Sequence, residues 1–192
     1  MELPPVWMAV MSNDLPLLKE CLTKDNINTL SELEAYTPLM VSANRSFVEV
    51  STYLVEQGAD LSAKSESGMT ALMLAMNPNS EPDSLAISKA ILDAGANVNT
   101  SSAGGNTALM EAGHKGLTKV VELLIERGAN VDAQNKYGET ALMVSSLQGA
   151  EPAVVKALLK AGANKDLADV DGFTAFDLAK KNGNEEIMEL LY

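Results

Sequence analysis

Two residue types that build reactive centres are almost missing from this 192-residue chain: Cys21 is its one cysteine and His114 its one histidine. A single thiol excludes an intrachain disulfide and a cysteine metal cluster, so the fold must rest on packing. A lone histidine, with no cysteine nucleophile or second imidazole to work with, gives catalysis little to build on. Aromatic residues are scarce as well, 4% of the chain against 46% apolar overall. The core must therefore be made from Ala, Leu, Val, Ile and Met. Positive charge is in deficit, with 14 Lys and Arg against 26 Asp and Glu and a formal charge of −12. That balance disfavours nucleic acid and anionic membrane and suits a basic protein, such as a basic enzyme. The deficit is uneven, −8 over residues 1–96 and −4 over 97–192, so a basic partner is expected to be steered towards the first half. Apolar runs are broken by charges every few residues, which argues against membrane insertion. The start, Met1-Glu2-Leu3-Pro4-Pro5, lacks the basic and apolar regions of a secretory leader. A cytoplasmic location is the default expectation, with a periplasmic or secreted one left open should a leader have been removed.

What the chain has is repetition. One tetrapeptide frame recurs five times, as Thr37-Pro38-Leu39-Met40, Thr70-Ala71-Leu72-Met73, Thr107-Ala108-Leu109-Met110, Thr140-Ala141-Leu142-Met143 and Thr174-Ala175-Phe176-Asp177, with threonines 33, 37, 33 and 34 residues apart. A second frame keeps phase with it: Gly58-Ala59-Asp60, Gly95-Ala96-Asn97, Gly128-Ala129-Asn130 and Gly162-Ala163-Asn164. A fixed period near 33 residues is the signature of a stacked solenoid, and such solenoids serve as binding scaffolds.

Each unit reads as a turn, a short helix, a second turn, a longer helix and a hairpin. In the fourth unit Thr107 is placed to cap a short helix over Ala108–Lys115 through its hydroxyl. Gly116 ends that helix, Leu117–Arg127 forms the second, and Gly128 stops it as a left-handed C-terminal glycine. Asn135-Lys136-Tyr137-Gly138 is the next turn, whose glycine permits a positive φ. Six units follow: a capping unit over 1–29, full units over 30–63, 64–101, 102–134 and 135–168, and a closing unit over 169–192. In the first, Val6–Val10 matches the short helix and Leu15–Leu22 the second. In the last, Lys180, Lys181, Glu185, Glu186 and Glu189 fit an end unit with one wet face. The 37-residue interval places an insertion at Asn77–Ser84, predicted to be a loop, with Asp83 or Ser84 as the N-cap of the following helix.

The two frames resemble the ankyrin repeat over essentially the whole chain. The family pattern is a glycine turn, Thr-Pro-Leu-His at the first helix, and Gly-Ala-Asp/Asn-Val-Asn after the second. Only Thr37-Pro38 keeps the family's proline, and Met40, Met73, Met110 and Met143 stand where the family has histidine. Thioether packing must then replace the polar network of that histidine. The resemblance implies an all-α solenoid of helix pairs with β-hairpin connections and a concave groove, a monomer when free, acting without a cofactor as a non-enzymatic protein-binding module. An array with no attached effector domain is expected to be an inhibitor, immunity factor or adaptor. An excised piece of a larger scaffold protein is the alternative, since the helix ending Ile187-Met188-Glu189-Leu190-Leu191 is one that a further unit could cover.

The residue before each repeat threonine leaves the hairpin for the short helix, so Tyr36, Met69, Asn106, Glu139 and Phe173 are expected to form a row of partner contacts. Glu34, Glu66, Ser67, Lys136 and Tyr137 add the turn tips. Asn44, Arg45, His114, Lys115, Leu147 and Gln148 add the short helices. Tyr36 and Tyr137 are the expected aromatic anchors, while Phe173 is equally suited to burial in a closing unit. An enzymatic reading would pair His114 with Glu111 or Glu139 as base and acid, and lacks a second catalytic partner. Cys21, in register with core leucines, is expected to be buried. Gly104-Gly105 lacks the Gly-Lys-Ser/Thr of a phosphate loop, and Asp169/Asp171 and Glu185/Glu186/Glu189 lack calcium-loop spacing.

Overall fold

The computed structural model describes residues 4–31, 35–147 and 151–192, which hold twelve α-helices in six pairs and no extended strand. They fall into two compact units, Met1–Asn97 and Val98–Tyr192.

In the first unit the helices are α1 (Pro5–Met11), α2 (Leu15–Cys21), α3 (Pro38–Asn44), α4 (Val48–Glu56), α5 (Ala71–Leu74) and α6 (Glu81–Asp93). The short helices α1, α3 and α5 pack side by side, and α2, α4 and α6 form a second layer behind them. Trp7 is buried in the first helix pair, as are the fully enclosed Ala9 and Val10. The second unit repeats the arrangement with α7 (Ala108–His114), α8 (Thr118–Glu126), α9 (Ala141–Leu147), α10 (Pro152–Lys160), α11 (Ala175–Lys181) and α12 (Glu185–Leu191). Here α7, α9 and α11 make one layer and α8, α10 and α12 the other.

The repeat threonines do local work that explains their recurrence. Thr37, Thr107, Thr140 and Thr174 each accept, through Oγ1, the backbone N–H three residues on, at 3.3 Å. This satisfies one of the donors that a helix start leaves orphaned. Thr70 precedes the four-residue α5 and makes no such cap. Met40, Met73, Met110 and Met143 are all buried. Two of them do more than pack, because the Sδ of Met40 and of Met143 accepts the N–H of Thr37 and Thr140 at 3.5 and 3.4 Å. A thioether thus closes the reciprocal half of a capping box usually closed by Glu or Gln. Asp177 closes it with a carboxylate, accepting from Thr174 N at 3.0 Å.

Successive pairs are also clipped together by the second frame. Asn99 Oδ1 accepts from Asn130 N at 2.8 Å, and Asp132 Oδ1 from Asn164 N at 2.8 Å. Asn28 makes the equivalent bond to Asp60 N at 2.9 Å in the first unit. The hairpins are minimal, and in the second unit they close through single antiparallel bridges, Ser101 with Thr107 and Ala168 with Thr174.

The insertion is a loop, as its Pro, Asn and Ser content predicts, only over residues 77–80. Glu81–Ser84 are the first turn of α6, which runs for 13 residues behind an α5 of only four. Ser80 is the N-cap, rather than Asp83 or Ser84, and its Oγ donates to Asp83 Oδ2 at 2.6 Å. Pro82 falls in the first turn, where a missing N–H costs nothing. Ser84 is fully buried and its Oγ accepts Asn77 N at 2.8 Å, so the segment is pinned from inside.

Candidate functional site

Three turns of the second unit, 102–106, 135–139 and 169–173, are closed by the same bonds and then joined to each other. Lys136 N donates to Gly104 O at 3.0 Å, and Val170 N donates to Tyr137 O at 2.9 Å. Glycine is required at the joints. Gly105 and Gly138 have φ of +86° and +75°, and a Cβ on either would lie 3.0 Å from backbone of the next turn.

Asn135 organises the middle turn. It is buried, and its Oδ1 accepts from Tyr137 N and Glu139 N at 2.9 and 3.0 Å. Its Nδ2 donates to Asn106 Oδ1 at 2.9 Å and to Glu139 Oε2 at 2.8 Å. Asn106 Nδ2 in turn donates to Glu111 Oε1 at 3.2 Å. Two carboxylates from different repeats are thereby fixed at the ends of one amide chain. They border an open hollow of about 280 Å³ lined by Asn106, Met110, Glu111, His114, Asn135, Tyr137, Glu139, Val144 and Leu147. Tyr137 stands at its lip, 64% exposed.

Of the sequence-predicted residues, Asn106, His114, Tyr137, Glu139 and Leu147 come together in this hollow. Lys115, the C-cap of α7, and Lys136, on the turn tip, are exposed. Phe173 is 40% exposed rather than buried, and Lys181 Nζ lies 5.4 Å over its ring. In the first unit Asn44 and Arg45 are exposed at the end of α3, where Arg45 Nη1 donates to Met11 O at 3.5 Å. Glu66 and Ser67 are exposed on a turn whose Ser65 Oγ accepts Met69 N at 3.2 Å, and Met69 is half-buried. Tyr36 is also half-buried, its N–H given to Ser31 Oγ at 3.0 Å, so it is a less open anchor than Tyr137. Glu34 and Gln148 lie outside the described residues. Sequence reasoning left Met110, Asn135 and Val144 out of the site and reached Glu111 only as a candidate acid. Asn135 heads an Asn-x-x-Gly turn, and asparagine in that place binds the backbone two residues on. That was the available signal.

Reactive chemistry is sparse. His114 is exposed, and among the described residues no group of three His, Cys, Asp or Glu side chains is arranged to hold a metal ion. Cys21 ends α2 and is half-buried rather than buried. Burial still pushes its thiol up, which keeps it from the thiolate form that reacts. No helix among the described residues is long and apolar enough to cross a membrane.

Paired short and long helices, glycine-jointed turns and a polar hollow on the short-helix side define a helical repeat scaffold of the protein-binding class. The family model for ankyrin repeats (3 copies) matches residues 6–102 and 109–192, and the chain belongs to this family of protein–protein interaction modules. It is similar to the solved ankyrin repeat domain from Acinetobacter baumannii AYE, with 34% identity, a TM-score of 0.85, and 97% of this chain and 95% of that one covered. Among known proteins it resembles alpha-latrocrustotoxin-Lt1a of Latrodectus tredecimguttatus, 31% identical over 74 residues. It also resembles ankyrin repeat and SAM domain-containing protein 6 of Rattus norvegicus, 32% identical over 81 residues. Those stretches cover 38% and 42% of this chain, and only 5% and 9% of the two relatives.

Proposed function

We propose that this chain binds a partner protein through its short-helix and turn face and acts, without catalysis, as an inhibitor, immunity factor or adaptor. The observation that carries the reading is Tyr137, an aromatic ring 64% exposed at the lip of a hollow whose polar side chains are already ordered. Exposed tyrosines with a polar tip dominate binding hot spots at small entropic cost. The partner-contact set is Tyr36, Asn44, Arg45, Glu66, Met69, Asn106, His114, Lys115, Lys136, Tyr137, Glu139, Leu147, Gln148 and Phe173. Capture of partners from a native extract, followed by mass spectrometry, supplies the binding assay. Tyr137→Ala is expected to weaken the captured complex by about 1–2 kcal/mol with little change in folding stability. Undiminished binding after alanine at Tyr36, Tyr137 and Glu139 together would move the interface to the long helices. An inhibitor or immunity factor would silence the partner's activity at one-to-one ratio, whereas an adaptor would leave it intact.

The small share of the toxin and the SAM-domain protein that matches supports a second reading, an ankyrin segment of a larger scaffold. An immunoblot of native extract reads it directly: a band far above the 20.3 kDa of this chain supports the scaffold.

A further inference from the structure

We infer that the hollow of the second unit receives an arginine side chain carried on an extended segment of a basic protein. This rests on the reading of that face as the binding surface and says what the face binds.

Charge decides the sign of the guest. The lining contains two carboxylates, Glu111 and Glu139, and neither lysine nor arginine. Each carboxylate is held by one amide bond, from Asn106 and Asn135 respectively. A carboxylate offers about four acceptor sites, so both keep acceptor capacity for a donor-rich guest. The Asn135 amide offers nothing to an anion, since both protons of its Nδ2 are spent inside the network, and Asn106 Nδ2 already gives one of its two to Glu111. Because the carboxylates are ordered before binding, the guest does not bear the cost of fixing them.

Shape and surface decide which cation. A hollow of about 280 Å³ lies just below the range of small-molecule pockets, about 300–1,000 Å³, and suits one side chain. Val144 and Leu147, both half-buried, line the hollow and suit an aliphatic stem, and Tyr137, also in the lining and 64% exposed, is an aromatic partner for a flat cation. A guanidinium is planar, sheds water more readily than an ammonium, stacks on aromatic rings and donates in a fork that two separated carboxylates can share. Beyond the hollow, Val170 is 68% exposed on the turn bonded to that of Tyr137, which extends the surface for an apolar neighbour of the arginine. The charge of −12 draws basic segments to the molecule.

The test is an amide-shift NMR titration of the whole ¹⁵N-labelled chain with acetyl-Gly-Arg-Gly-amide and with its citrulline and lysine counterparts. Saturable shifts centred on Asn106, Glu111, Tyr137 and Glu139 are expected for arginine. Citrulline, the uncharged isostere, should bind at least about 10-fold more weakly, and lysine more weakly than arginine. Glu111→Gln with Glu139→Gln should remove the arginine preference without changing the circular dichroism. Tyr137→Ala should weaken arginine about 5-fold. Shifts elsewhere, or equal binding of citrulline or lysine, would overturn the inference, and these comparisons need no variant to fold. The broader reading fails separately. If Tyr137→Ala loses the captured partner while citrulline equals arginine, the face is the interface and the arginine assignment is wrong. If the partner is retained after the triple alanine substitution, the face itself is wrong.

Discussion

At the scale of single residues, the positions that recur were legible and those that occur once were not. Leu109 sits in the repeat frame and is 1% exposed, as periodicity demands. Leu109→Ala is expected to cost about 2–5 kcal/mol, and a denaturant titration giving under about 1 kcal/mol would remove it from the core. The capping role of Thr107 was equally plain, because the hydroxyl and the helix start are neighbours in sequence. Asn135 was not, because its value lies in reaching Asn106 in the preceding repeat, and one turn's sequence does not say which side chain of the next lies within 3 Å. Sulfur bonding by Met40 and Met143 was hidden for another reason: a methionine in a core frame is fully explained by packing alone. Asp177 carries a prediction in acid. Hydrogen bonds from the side chain and backbone of Thr174 hold its carboxyl below the usual range. They favour the ionised form, so their stabilisation is complete above the unfolded value of about 3.9 and is lost as pH falls through the lower folded value. Thermal midpoints of the parent and Asp177→Ala should therefore differ at pH 7 and converge as pH falls through the lowered folded value. A constant gap would mean the carboxylate has no part in it.

Among elements, α7 packs tightly against α9 at Gly113. A Cβ built on Gly113 would meet Ser145 Oγ at 2.6 Å, and that hydroxyl is tied to Ala141 O at 2.8 Å. Alanine normally favours a helix over glycine by about 1 kcal/mol, yet overpacking costs about 1–3 kcal/mol. Gly113→Ala is therefore expected to destabilise, and adding Ser145→Ala to restore most of the loss. Additive effects of the two changes would show that they do not meet. Sequence marked Gly116 and Gly128 as helix stops from their local frame. It gave no such hint for Gly113, whose reason is a serine 32 positions on. The insertion misled in its second half only. Asn77-Pro78-Asn79-Ser80-Glu81-Pro82 reads as a loop by composition, but a proline in the first turn is as compatible with a helix as with a turn. What decided the outcome was burial of Ser84, a tertiary fact.

For the molecule as a whole, net charge bears on how fast partners arrive. With −12 spread unevenly towards residues 1–96, a basic partner should associate faster at low salt and lose that advantage as screening shortens to about 8 Å at 0.15 M. Association rates by stopped flow are expected to fall at least about 10-fold from 10 mM to 0.5 M salt, with dissociation changing less. Salt-independent association would argue for a neutral or acidic partner. The hollow lies in the less acidic half, so long-range attraction and local recognition need not share an address. The family could be read from two short frames because a repeat writes the same constraint several times over.

The bonds from Lys136 to Gly104 and from Val170 to Tyr137 are made by main chain alone. Proline apart, they are indifferent to the identity of the side chains at 136, 137 and 170, while Asn135 and the glycines hold the turns. Such a surface can drift under selection, or be randomised in a library, one tip at a time while the scaffold beneath keeps its shape. Substitutions at these tips are therefore expected to leave the main-chain joints between the turns intact.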